Sequence, residues 1–323
     1  MYYPNSIEEI CYEESHIEQV NTEIKANFHD YYHKFIETEA GNSIDDNQLQ
    51  KLAKHFGNTP PEKKKKDKSI ALKNILNEGI DDFEKDRKKY LEILDLDKLD
   101  EYEDDPSFFK NTILKNQCPV IHATLQNKSA KELDKYRKEF KLADPTELLT
   151  VTYNITHFAK NYHENEYKPN NYEKTQSVQD LMLGELLEED YIVYGVIGGG
   201  IKSHFLYKLY PNVFPNRSRE AIWALWYLTN KKTFKCKEDS EFLMIDVKNS
   251  VTQQNYFYPY DLFSYYALKI YLLLKKEAEA ENIEIPIGYR YVILDSYLSF
   301  VAQQHHEEIS TLKQAIKEDN HGY

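Results

Sequence analysis

The sequence predicts an α+β or α/β protein: a mainly helical N-terminal region followed by a C-terminal domain with a small mixed or antiparallel sheet. Three observations lead there. Apolar residues over 6–39 recur at helical spacing. Two short runs farther on, "EFLMID" and "YVILD", are dense in apolar residues and read as strands. The glycine-rich "GVIGGG" (195–200) interrupts helical patterning ahead of both.

The first helix is expected over 6–39. Ser6 and Glu9 have capping-box spacing, and Ile10, Ile17, Ile24 and Tyr31 recur every seven residues, with Val20, Phe28 and Phe35 on the same broad side. Such a stripe suits either a bundle seam or a protein partner, including a second copy of the chain. A short helix follows over about 45–56, and "TPPEKKKKDKS" then reads as an exposed Lys-rich loop at 59–68. A third helix is expected over about 69–95, with Gly79 a point of division. "CPVIHATL" is ambiguous between strand and loop. Helices at about 129–141 and 146–163 come next, the latter opened by Asp144 as cap and Pro145 as first helical residue.

The polar, Tyr-rich stretch 164–176 is the natural boundary, dividing a helical region at 1–165 from an α/β domain at 176–323. A length of 323 residues suits that division. The back half predicts a helix over 178–187, a glycine-rich bend, and helices at about 201–210 and 217–229. "TFKCKEDSEFLMIDV" predicts a hairpin. A strong helix follows from Asp261 to Asn282, then "YRYVILDS" as a strand and a last helix over about 296–317.

Composition narrows the function classes. An apolar fraction of 41%, with 27 Tyr and 15 Phe, supports a packed core. The formal charge of −13 repels nucleic acid at long range unless basic groups gather on one face. No apolar run reaches the roughly 20 residues of a membrane span, and the first residues lack a leader pattern. Three cysteines without metal or redox spacing suit a reducing compartment, so a cytoplasmic location is expected.

The chemistry-bearing pattern is Asp246–Val247–Lys248. On a strand, side chains two apart share a face, and phosphodiester cleavage needs carboxylates for Mg²⁺ with an ammonium nearby. The pattern resembles the D/E-x-K strand of the restriction-endonuclease-like nucleases. That resemblance implies a metal-dependent nuclease with Asp246, Lys248, Glu220 and Asp239 as catalytic candidates and Mg²⁺ as cofactor. Glu241 is a further available acid. Gln254 and Tyr258 have the spacing of a Gln-x-x-x-Tyr helix, but Pro259 follows directly. Asp295 ends the second apolar run as Asp246 ends the first. If those strands are neighbours, both carboxylates lie at one sheet edge and serve as metal ligands.

A second reading takes 177–248 together. Its order is similar to a winged helix, with "NRSREAIWALWYLTN" as recognition helix. DNA or RNA would be held by Lys202, Arg217, Arg219, Lys231, Lys232, Lys235 and Lys237. A third reading is a non-enzymatic helical interaction protein working through 6–39. His16, His29 and His33 read as surface histidines of the first helix, and Cys236 as an inert thiol.

Overall fold

In the computed structural model the residues described are 9–39, 68–130, 133–234, 240–246, 251–252 and 258–319. The protein is predominantly α-helical, which corrects the α+β or α/β expectation. Among the described residues, strand pairing is confined to β1 (Ile245–Asp246) against β2 (Val251–Thr252), antiparallel with Asp246 opposite Val251, and one isolated bridge between Val193 and Ile197. The expected helix at 45–56 and the Lys-rich loop lie outside the described residues apart from Lys68.

Helix α1 (Glu14–Glu39) follows a 3₁₀ turn at Glu9–Tyr12. Its Val20, Ile24, Phe28, Tyr32, Phe35 and Ile36 are buried, so the apolar side is used inside the molecule. Helix α2 (Lys68–Ile93) runs unbroken through Gly79. A Cβ there would sit 3.0 Å from Ser296 Oγ, so the missing side chain permits close helix approach rather than a division. Helix α3 (Leu96–Glu101) is capped by Asp95. Helix α4 (Pro119–Gln126) resolves "CPVIHATL" as helix, and α5 (Asp134–Leu142) follows. Helix α6 (Pro145–Asn161) starts as expected, the Asp144 carboxylate accepting the Glu147 N–H at 3.0 Å.

In the back half, 178–187 forms 3₁₀ turns (Gln179–Leu181 and Gly184–Leu187) rather than an α-helix. Helix α7 spans Gly199–Leu209, α8 Arg219–Leu228 and α9 Tyr260–Ala280. "YRYVILDS" lies in helix α10 (Arg290–Gln304), and α11 is His306–Asp319. The strand expectation failed there for a physical reason. Tyr291, Val292, Ile293, Leu294, Tyr297 and Leu298 are all buried. A helix enclosed on nearly every side has no polar face to display a 3.6-residue period.

Helix α10 is the axis of the packing. It contacts α1, α2, α8 and α9, and Tyr297 donates to the Phe28 carbonyl at 3.1 Å. At its start Arg290, 1% exposed, donates to Asn212 O and, at 3.1 Å, to Glu173 Oε1, and lies over the Tyr172 and Tyr271 rings. Lys275 also binds Glu173, at 2.6 Å. Two cations thus hold the Glu173 carboxylate below its ordinary range despite burial pushing the other way.

Candidate functional site

Four segments bring polar groups together beside α10. Helix α2 supplies Asp86 and Tyr90. Helix α7 supplies His204, Tyr207 and Lys208. The connection into α8 supplies Asn216, and the first turn of α8 supplies Glu220. Ser218 fixes that turn by accepting the Ala221 N–H at 3.0 Å. Asp295 comes from the middle of α10.

The hydrogen bonds form a continuous chain. The Tyr90 hydroxyl accepts the Val120 N–H at 3.0 Å and meets His204 Nε2 at 3.1 Å. The tautomer of the ring decides which of the two groups donates in that second bond. His204 in turn bonds the Asn216 side chain, and Asn216 Nδ2 donates to Asp295 Oδ1 at 3.1 Å. Beside this chain Lys208 Nζ donates to Asp86 Oδ1 at 2.6 Å and to Phe83 O at 3.0 Å.

Electrostatics separate the groups. Burial pushes the Asp295 carboxyl up to about 7, and the Glu220 charge adds to it; the Asn216 bond and Lys208 oppose. Burial pushes His204 down to about 4, assisted by Lys208. Tyr207 is held well above its usual value by burial and by Asp295 and Asp86. Near neutral pH the imidazole is therefore uncharged and Asp295 is poised between acid and carboxylate. Asp295, His204, Asn216 and Asp86 are partly accessible and Glu220 is exposed, so the cluster reaches solvent.

Of the sequence-derived site residues, Glu220 and Asp295 are brought together, on neighbouring helices and not at a sheet edge. Asp246 ends β1; Lys248, Asp239, Lys235 and Lys237 lie outside the described residues. Lys202 is buried, with Nζ bonded to Leu186 O, and its amine is pushed down to about 8 by burial and by Arg217. Arg217 is 4% exposed, and its guanidinium fills the space beside Gly199. Arg219 is exposed. Lys231 pairs with Glu308 and lies over Trp226, while Lys232 pairs with Glu23 at 2.5 Å. Ala221–Leu228, expected to include a recognition surface, is buried throughout.

His204, Asn216, Lys208 and Asp86 carried no motif that would single them out. A metal-capable grouping also lies apart from these residues: Cys11, His16 and Glu241, all buried, have one donor atom each within 4.8 Å of one another.

No protein-family model, curated protein or solved structure matches the chain. The fold class and the site chemistry therefore carry the functional reading. No helix among the described residues is long and apolar enough to cross a membrane.

Proposed function

We propose that this chain is an acid–base enzyme, with Asp295 as proton donor and Glu220 as the accompanying carboxylate. The observation that supports the reading is the Asn216 bridge: one amide orients Asp295 and is itself oriented by neutral His204. Catalytic carboxyl pairs work by holding one member protonated near working pH while the other stays charged. Desolvation and the neighbouring Glu220 carboxylate raise the Asp295 carboxyl here. The chemistry suits transfer or hydrolysis at a bond whose leaving oxygen or nitrogen needs a proton.

Asp295 should be followed by carboxyl-carbon NMR from about pH 4 to about 9, alongside hydrolysis of aryl glycosides, esters and phosphodiesters. Support is a titration near neutrality that falls in Glu220→Gln, with an activity that Asp295→Asn abolishes in a folded protein. Titration in the ordinary carboxylate range, or activity surviving Asp295→Asn, sinks the reading.

Binding of DNA or RNA is the second reading, favoured by exposed Arg219 at the start of α8. Lys231 and Lys232 are engaged by carboxylates and Lys202 is enclosed, so these three cations offer limited charge to phosphate. Low-salt filter binding with single- and double-stranded probes tests it. Retention lost in Arg219→Ala supports contact there, and no retention removes it. Mg²⁺-dependent cleavage centred on Asp246 and Lys248 rests on the sequence pattern, and Asp246→Ala tests it in the same assays.

A further inference from the structure

We infer that Cys11, His16 and Glu241 form a binding site for a zinc-class divalent ion, separate from the Asp295 site and independent of its proposed chemistry. The three side chains come from the first 3₁₀ turn, from α1 and from the turn preceding β1. They are 1%, 2% and 5% exposed. One thiol, one imidazole and one carboxylate are the donor types that borderline ions such as Zn²⁺ accept together. Mg²⁺ and Ca²⁺ prefer oxygen alone.

The spacing fits. Ligand atoms around tetrahedral zinc lie about 3.5 Å apart, given bonds of about 2.0–2.3 Å. Here one donor atom from each residue lies within 4.8 Å of the others. His16 Nε2 and Glu241 Oε1 are 2.5 Å apart, with one hydrogen-bonding proton between them. An ion inserted between them replaces that proton and moves the pair apart by about 1 Å. The thiol enters as thiolate, so binding releases protons.

The surroundings hold the donors in place. Tyr258 donates to Glu241 Oε2 at 2.8 Å, leaving Oε1 to face the centre, as outer partners of metal-binding carboxylates do. Phe234 stands edge-on to His16 at 5.9 Å, and Phe242 packs on Tyr258 at 5.2 Å. Apolar rings of this kind exclude water and slow release of an ion. Three protein donors leave one tetrahedral position for a small ligand such as water.

The test uses the full chain, stripped with chelator and titrated with Co²⁺ and then Zn²⁺. The expected result is one ion per chain, with intense near-ultraviolet thiolate-to-cobalt absorption and visible bands of a tetrahedral site. Zn²⁺ should displace both. Cys11→Ser should abolish the thiolate band and weaken binding at least tenfold, while Cys118→Ser, which removes a thiol outside the cluster, should leave both unchanged. Because Cys11 is a buried core residue whose replacement can itself disturb folding, zinc-edge X-ray absorption on the unaltered protein is the second measurement, with one sulfur neighbour at about 2.3 Å expected. No stoichiometric binding, a thiolate band that survives Cys11→Ser, or a shell of oxygen and nitrogen alone overturns the site.

Discussion

Asn216 donates its side-chain amide to Asp295 at 3.1 Å and also bonds His204, joining two groups whose proton affinities are displaced in opposite directions. The folded protein holds a proton on Asp295 more tightly than the unfolded chain does. Its contribution to stability is complete below about pH 4 and is lost as pH rises through about 7. His204 is the reverse. Folded, it resists protonation, so its contribution is present above its ordinary value of 6.5 and is lost as pH falls toward about 4. The two slopes oppose each other across this window.

Each slope can be exposed singly. Asp295→Asn should leave stability rising with pH between about 4 and 6.5, and should raise it relative to the parent at pH 8 by about 1–2 kcal/mol, allowing for partial solvent contact. Urea unfolding across this range checks it; an unchanged pH profile counts against the displaced carboxyl.

His204→Gln should do the opposite, leaving stability falling as pH rises toward 7. The relative loss should be about 1–2 kcal/mol at pH 8, where neutral His204 was most favourable and the ring's bond to Tyr90 is disturbed. The same urea series reads it, and a parallel shift at every pH would show only lost packing.

Arg290 is enclosed by Tyr172 and Tyr271 and bonded to Glu173. Arg290→Ala should cost about 3–5 kcal/mol, because it opens a cavity and removes one of the cations on Glu173. Glu173→Gln should cost less, since the aromatic contacts survive. Equal costs would mean that the ion pair, not the stacking, dominates.

Gly195 has φ +78°, and a Cβ there would lie 2.7 Å from Glu139 Cγ. Gly195→Ala should therefore destabilise by about 1–3 kcal/mol. Glu139→Gly in the same chain, which removes both the Cβ at 2.9 Å and the Cγ, should recover the steric part and leave the backbone part. A double variant no better than the single would place the whole effect in φ.

Helical content in the front half was legible because its helices are amphipathic and capped: Asp144 with Pro145 marks a start that the structure reproduces. What stayed hidden was burial on all sides. Between Tyr291 and Leu298 the chain is so enclosed that helix and strand share one apolar pattern, and α8 carries the same ambiguity between core and recognition surface. Glu220 and Asp295 were legible as acids but not as neighbours, since their approach depends on how α8 crosses α10. His16 read as a surface residue because its partner, Glu241, stands 225 positions away. Spacing motifs register local ligands and are silent on such pairs.

That separation bears on how the molecule is made. Helix α1 is translated before α8, α9 and α10, yet all three form part of its seat, and the polar tethers of this segment include Glu241 for His16 and Asp261 for Tyr12. While synthesis proceeds at about 5–20 residues per second, the apolar side of α1 can meet α2 early but has to wait for α8, α9 and α10 to be made. Helix α1 is then completed in its seat late, and during that interval part of its apolar side is open to chaperones or to aggregation.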